Sequence, residues 1–280
     1  MKRFLPFVFT LLFLALLFYL LPFKDLFESL RRISIYHLLT SFLFYSLSQL
    51  VRSVRWSLIL DLELYHAYLI NSANVMLNNI LPARTGELSW FYYAKKLGVG
   101  TGMSLWSFFL GRFFDLIALS LLLFLNLSLL SHLFLIPSLM LFVFSLSFHK
   151  AVRLLPNYKK LKEFKGFVYE NSNLRLFLSL LLLSSLSHLL KFISFLSLLG
   201  LWHIDFYRSF LAFSGGELSS TLPFHSFMGF GTYEFAFSLP LRVLGESLRD
   251  WLRYGFIFHS FLLFSSALWG VPALLLLSKR

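Results

Sequence analysis

The chain has 280 residues, of which 58% are hydrophobic and only 14% are charged, and its mean hydropathy is +0.75. Soluble domains have roughly half apolar and a quarter charged residues, so this composition excludes an ordinary soluble protein and predicts a polytopic membrane protein. The net charge of +12 gathers at the ends of apolar segments and in one loop. We therefore expect contact with anionic lipid head groups and no nucleic-acid partner.

The first half of the chain, 1–148, is predicted to contain four membrane-spanning helices. The apolar run 4–23 is as long as a bilayer span and is followed by no small-residue cleavage site. We therefore interpret it as the first span rather than as a signal peptide. Three further spans are predicted at 36–60, 103–130 and 132–148.

A basic loop, 149–175, separates this half from the second half, 176–280, and is predicted to form a cytoplasmic interfacial helix. The second half contains a fifth span at 176–199 and a sixth at 251–277. The chain is thus predicted to be a single all-α membrane domain over 1–280 with about six transmembrane helices.

Two further segments, 65–97 and 207–240, are interpreted as re-entrant helical hairpins. Each is too polar to face lipid and too apolar for a free loop. Non-helical backbone is tolerated at membrane depth only inside protein or beside a water-filled cavity. The residues predicted to break and shape the hairpins are Pro82 and Gly86 in the first, and Pro223, Gly229 and Gly231 in the second.

The orientation follows from the distribution of lysine and arginine. With the N-terminus inside, the cytoplasmic segments carry twice as many of these residues as the opposite side. The positive-inside rule then predicts a cell (inner or plasma) membrane protein with both termini in the cytoplasm.

Two short echoes relate the halves of the chain. The sequence LNNILP at 77–82 returns as LSSTLP at 218–223, and SLSQLVR at 46–52 returns as SLSHLLK at 185–191. An odd number of membrane crossings separates the second pair, so the second copy would be inverted. Inverted repeats with broken helices are typical of secondary transporters, in which the halves rock around a fixed site.

Ionisable residues within the spans and hairpins are candidates for a substrate site, because such groups are rare at membrane depth. Arg84 and Glu87 are predicted to form an ion pair or to bind a head group. Arg112 and Asp115 have the same spacing, and a structural pair is an equally good interpretation there. Arg52, Arg55 and Lys191 either bind substrate or extend to the interface. The predicted substrate-binding residues are Asn79, Arg84, Glu87, Arg112, Asp115, Glu234, Arg52 and Lys191.

The sequence offers little for catalysis. It has no cysteine, its histidines have no metal-ligand spacing, and its close acidic pairs lie in predicted connectors. No phosphate-binding glycine loop is present. We therefore expect no enzyme activity, no metal and no cofactor, so any transport would use a gradient or run downhill.

Four motifs in order carry a resemblance to a known family: NILPARTGE at 79–87, RFFD at 112–115, LP at 222–223 and GFGTYE at 229–234. Together they resemble the lysylphosphatidylglycerol synthase transmembrane region, a family of flippase-like membrane domains. The resemblance implies a domain that moves lipids with charged or glycosylated head groups between leaflets. Some members carry a cytosolic aminoacyltransferase domain; this chain ends at Arg280 without one, so we expect no aminoacylation.

The leading hypothesis is therefore a lipid translocase for an anionic phospholipid or a polyprenyl-phosphate-linked lipid. Two alternatives remain open: an integral-membrane lipid transferase, and a non-catalytic partner that recruits a glycosyltransferase or another lipid-modifying enzyme. A homodimer is also open.

Overall fold

In the part of the chain that the computed structural model describes, all regular secondary structure is helical. The described residues are 8, 11–12, 15, 18–19, 23–31, 33–81, 85–151, 166–168, 170–201, 205–221 and 226–279. The first predicted span, most of the basic loop, and Pro82, Arg84 and Pro223 therefore lie largely or wholly outside the described residues.

The α-helices, numbered in chain order, are α1 (Phe23–Arg31), α2 (Ile35–Leu60), α3 (Leu64–Ile80), α4 (Glu87–Lys96), α5 (Thr101–Leu127), α6 (Leu135–Ala151), α7 (Leu174–Leu199), α8 (Phe206–Ser219), α9 (Thr232–Val243) and α10 (Leu248–Ser278). Short 3₁₀ turns at His132–Phe134 and Phe227–Gly229 precede α6 and α9. The second to sixth predicted spans and both broken segments thus coincide with helices or pairs of helices among the described residues.

Side-chain caps set several of these boundaries. Ser34 accepts a hydrogen bond from the His37 amide at the start of α2, and Asn173 accepts one from the Leu176 amide at the start of α7. These caps satisfy amides that have no partner within the first helical turn. The helix α7 ends at Gly200, whose φ of 61° is a left-handed conformation that glycine adopts readily.

Three helices among the described residues, α5, α7 and α10, are long and apolar enough to cross a membrane. The helix α6 exposes Leu139, Met140 and Val143 along its surface, as a lipid-facing helix does. The predicted all-α membrane fold is therefore confirmed.

The helices α2 and α7 form a tightly packed antiparallel pair. The Ser41 hydroxyl hydrogen-bonds Ser194 at 2.9 Å, and further along the pair Ser48 and Ser187 each donate a hydroxyl to the other's carbonyl, at 2.9 and 3.3 Å. Small hydroxyl residues let two membrane helices approach closely and supply hydrogen bonds between them. Because Ser48 and Ser187 occupy matching positions in the two echoed sequences, the antiparallel pairing is the arrangement that an inverted repeat predicts.

Glycines allow the broken segments to fold back on themselves. A Cβ on Gly86 would lie 2.4 Å from backbone atoms of Leu77 and Asn78, so only glycine lets α4 begin against the end of α3. In the second segment, a Cβ on Gly215 would lie 2.1 Å from the Ala236 carbonyl oxygen, which brings α8 and α9 equally close. Gly229 and Gly231 have φ of 78° and 101°, as expected for residues that shape this turn.

Two apolar clusters complete the core. One consists mainly of rings from the second half, including Phe195, Phe213, Phe237 and Phe258. The other is dominated by the first half and includes Trp56, which packs where Gly111 of α5 leaves room for its ring. The broken segments reach across the halves, since α3 packs on α10 and α8 packs on α5.

Candidate functional site

A polar cavity of about 120 Å³ lies where the two halves meet. Its wall contains residues of α2, α3, α5, α7, α8, α9 and α10, together with the turn before α9. A cavity of this size admits several water molecules. It therefore satisfies the condition under which broken helices are tolerated at membrane depth.

Helical spacing explains why these side chains face one space. Gln49, Arg52 and Trp56 follow one another at intervals of three and four residues in α2, and Asn71, Asn74 and Asn78 do the same in α3. Residues at such intervals lie on one face of a helix. His188 and Lys191 of α7 occupy the positions that match Gln49 and Arg52 in the echoed sequence.

The first charged cluster in the wall is centred on Asp115 of α5. Arg55 binds its carboxylate through two hydrogen bonds, of 2.5 and 3.2 Å, and also donates to the Ser184 hydroxyl at 2.7 Å. Arg52 approaches the same carboxylate at 3.5 Å. Two guanidinium groups therefore share one negative charge, and this cluster carries a net positive charge.

Arg52 is the less committed of the two arginines. Arg55 is 1% exposed and held on two sides, whereas the Arg52 side chain is 18% exposed and lines the cavity. The Nε atoms of both arginines are buried without a hydrogen-bond partner among the described residues, so Nε does not distinguish them. Arg52 differs in that it lines the cavity and makes the longer contact to the shared carboxylate, which leaves its guanidinium well placed to bind an anion.

The second charged cluster is centred on Glu217 of α8. The Lys191 ammonium lies 2.8 Å from one carboxylate oxygen, and the Tyr233 hydroxyl donates to the other at 3.3 Å. This cluster is electrically balanced. Because α2 and α7 are antiparallel, Arg52 and Lys191 each lie one turn beyond the Ser48–Ser187 contact but towards opposite ends of the cavity.

A third pair links the first broken segment to α5. Arg112 donates to Glu87 at 2.9 Å, and its guanidinium lies 5.3 Å from the centre of the Phe108 ring. Arg112 is thus bound to the start of α4 rather than to Asp115, which contacts Arg55 and Arg52. The predicted pairing of Glu87 with Arg84 lies outside the described residues.

Amide groups cover the α3 side of the cavity. The Trp56 indole donates to Asn71 at 3.1 Å, and Asn71 donates to Gln49 at the same distance. Near the end of α3, Asn79 donates to the Ser266 hydroxyl of α10 at 2.9 Å. The carbonyl oxygen of the Asn78 side chain is buried and has no partner among the described residues. The wall thus offers neutral hydrogen-bonding groups beside the charged clusters.

The last polar contact lies at the start of α9. Glu234 is fully buried; one of its oxygens accepts the Gly231 amide at 2.7 Å, and the other lies 2.7 Å from Nδ1 of His259. Glu234 itself does not line the cavity, whereas His259 does.

The structure brings most of the predicted site residues together. Asn79, Arg52, Arg112, Asp115 and Lys191 line the cavity. Glu87 and Glu234 lie behind it and hold Arg112 and His259. Arg84 is outside the described residues.

Sequence reasoning missed several residues of the wall. Arg55 does not extend to an interface; it is buried because Asp115 and Ser184 satisfy its charge. Arg55 lies behind the wall, whereas Gln49, Asn71, Asn74, His188, Glu217, Tyr233 and His259 belong to it. The echo placed Gln49 and His188 at matching positions, a signal for two of them, whereas nothing around His259 in an apolar span marks it. Among the described residues, no group of three or more histidines or acids is arranged to hold a metal ion.

The comparison with protein families shows the family to which the chain belongs. None of the curated proteins compared with the chain matches it. The family model described as "Lysylphosphatidylglycerol synthase TM region" matches residues 3–270, nearly the whole chain. The resemblance carried by the four motifs is therefore confirmed, and the chain belongs to the family of the lysylphosphatidylglycerol synthase transmembrane region.

Proposed function

We propose that this membrane protein is a lipid translocase, which moves a lipid with a phosphate-bearing head group between leaflets without chemical change. The observation that carries the proposal is Arg52, a cavity-lining cation that shares its one carboxylate with Arg55 and approaches it only to 3.5 Å. The lipid class is an anionic phospholipid or a polyprenyl-phosphate-linked lipid.

The physical task of a translocase is to replace the water around the phosphate. A charged group that leaves water for an apolar medium loses its hydration at great cost. The cavity supplies fixed substitutes: the net positive charge of the Asp115 cluster and the amides of α3. These groups are held by neighbours, so they need little rearrangement when the head group arrives.

The symmetry of the site supports alternating access. Arg52 and Lys191 lie on either side of the Ser48–Ser187 contact, and each is associated with a carboxylate of a different helix. Rotation of one half against the other would bring each charged cluster in turn towards one membrane face.

The proposed orientation in the inner or plasma membrane has both termini in the cytoplasm. Because the native chain lacks cysteine, Lys160→Cys should be shielded from an impermeant thiol reagent in intact cells, and Glu246→Cys should react.

The test is transport in proteoliposomes. Fluorescent phosphatidylglycerol and a fluorescent polyprenyl phosphate should become accessible to an impermeant quencher faster with the protein than in empty liposomes. The variant Arg52→Gln should slow this by about tenfold or more, because a hydrogen bond to a charged group contributes about 1.5–3 kcal/mol.

Arg208→Gln is the matched control, since Arg208 is half-exposed, lies outside the cavity wall and pairs with Glu246 at 3.1 Å. It should transport at the rate of the unmodified protein. Equal rates for the unmodified protein, Arg52→Gln and empty liposomes, with all lipids tested, would contradict the proposal and favour the recruitment of a separate enzyme.

A further inference from the structure

His259 lines the cavity and contacts the carboxylate of Glu234. Among the described residues, this carboxylate is not shared with an arginine or a lysine. Glu234 is completely buried, and its contacts are the Gly231 amide and Nδ1 of His259. Among the described residues, no lysine or arginine contacts Glu234. Burial of an ionised carboxylate is costly unless it is paired, so this pair has a place for one more positive charge.

The geometry assigns a role to each nitrogen of the ring. Nδ1 faces Glu234, so Nε2 is the nitrogen that remains for a proton from the cavity that His259 lines. An imidazolium at this position would be paired with the Glu234 carboxylate, and an imidazole can carry a proton on each of its two nitrogens. The Gly231 amide at the start of α9 keeps Glu234 in position for this.

The other ionisable groups near His259 are already engaged. Tyr233 of α9 stacks on the imidazole with ring centroids 4.6 Å apart and donates its hydroxyl to Glu217 of α8, which Lys191 of α7 neutralises. The α3 residues in the wall are neutral. The remaining titratable and charged groups around the cavity are Tyr45, Arg52, Arg112, Asp115 and His188.

His188 does not compete for this role. Its Nε2 lies 3.2 Å from the Asp115 carbonyl oxygen and 3.9 Å from the Asp115 carboxylate, which Arg55 and Arg52 already neutralise. A proton on His188 would therefore add a third positive charge beside two arginines. The carboxylate of Glu234 has no such competitors.

We propose that His259 binds a proton when the anionic head group occupies the cavity, so that lipid and proton are carried together. The proton adds to Nε2 from the aqueous side and offsets the negative charge of the phosphate. Coupling of this kind is reciprocal: protonation tightens lipid binding, and bound lipid tightens proton binding. This inference rests on the proposed function and names the ion that would link transport to a gradient.

The experiment measures protons taken up on binding, independently of transport. Short-chain phosphatidylglycerol is titrated calorimetrically into the purified full chain at pH 7, in two buffers with different enthalpies of ionisation. Phosphatidylcholine of the same chain length, a zwitterion whose choline cation balances its phosphate, is the control without net charge. We expect net proton uptake with phosphatidylglycerol, and an affinity that falls by up to about tenfold per pH unit as the pH is raised, as one linked proton requires.

Two variants of the pair isolate the site. His259→Gln should bind phosphatidylglycerol without proton uptake, because its amide can still donate to Glu234 but does not titrate. Glu234→Gln should reduce the proton uptake at pH 7, since its amide oxygen still accepts the Gly231 amide but the amide cannot neutralise an imidazolium. His66→Gln is the matched control: His66 pairs with Glu63 at 3.6 Å, and Glu63 is 81% exposed. Proton uptake should be unchanged there.

The outcomes separate the two proposals. Binding without proton uptake, or uptake that persists in His259→Gln, would overturn the inference and leave the translocase standing. No binding of either phosphatidylglycerol or a short polyprenyl phosphate would overturn the proposed function, and the inference with it.

Discussion

The carboxylates of Asp115, Glu217 and Glu234, which lie in or behind the cavity wall, are held in different ways. Asp115 is bound by arginines, whose charge is permanent and whose planar groups form paired hydrogen bonds. Glu217 and Glu234 are bound by lysine, tyrosine and histidine, each of which provides a single contact. The comparison teaches that one side of the cavity carries an excess of fixed positive charge, whereas on the other side each carboxylate oxygen is held by one separate contact.

The largest effect is expected from Asp115→Asn. This change leaves the buried Arg55 without its counterion, and breaking a buried pair in this way costs about 3–5 kcal/mol of folding stability. The thermal unfolding temperature in detergent should fall sharply. The double variant Asp115→Asn with Arg55→Met should recover much of the loss, because it removes the stranded charge. Equal losses in the single and the double variant would show that the pair is not what stabilises this side.

A smaller effect is expected from Glu217→Gln. The amide oxygen can still accept a hydrogen bond from Lys191 while the amide nitrogen donates to the Tyr233 hydroxyl, and the flexible lysine can move towards water in the cavity. We expect a loss of about 1–3 kcal/mol, the cost of an imperfectly satisfied buried group. The same unfolding measurement in detergent provides the check. A loss as large as that of Asp115→Asn would remove the distinction between the two clusters.

The exchange of Arg52 for lysine tests the role of geometry with charge held constant. Arg52→Lys keeps the positive charge but loses the second donor group, so it should transport faster than Arg52→Gln and slower than the unmodified protein. The converse change, Lys191→Arg, tests the balanced cluster in the same way. If Arg52→Lys transports as well as the unmodified protein, the fork of the guanidinium is irrelevant and charge alone matters.

The smallest effect is expected at an exposed pair of the same chemistry. Asp250 and Arg253 lie 3.1 Å apart on α10, with side chains 50% and 31% exposed. Asp250→Asn should change the free energy of unfolding by less than about 1 kcal/mol, because water replaces the lost partner. A loss comparable to that of Asp115→Asn would mean that burial does not explain the difference.

Much of the fold was predictable because it depends on local signals. Hydrophobic length placed α5, α7 and α10, and glycine placed the turns at Gly86, Gly229 and Gly231. The echo between the two halves predicted that Arg52 and Lys191 belong to one site. These signals are carried by residues close together in the chain, or by a repeat of the chain itself.

The pairing of charges was not predictable in the same way. Arg112 and Asp115 are spaced to face one another on a helix, yet Arg112 contacts Glu87 and Asp115 contacts Arg55. The choice depends on which neighbouring helix offers a carboxylate or a guanidinium at the right depth, which only the packing determines. Glu234 illustrates the same limit, since its partner His259 belongs to a distant apolar helix.

The two halves of the chain meet at Ser48 and Ser187 in the way that the two subunits of an isologous dimer meet at their two-fold axis, although here one chain supplies both halves. A residue on a two-fold axis meets its own counterpart, and these two serines exchange equivalent hydrogen bonds across the α2–α7 contact. Away from that axis the symmetry is one of shape and not of chemistry, because Gln49 is matched by His188 and Arg52 by Lys191. A perfectly symmetric pair of halves would treat both leaflets alike. In the proposed translocase, the unequal residues at matched positions would therefore let the protein distinguish the two membrane faces.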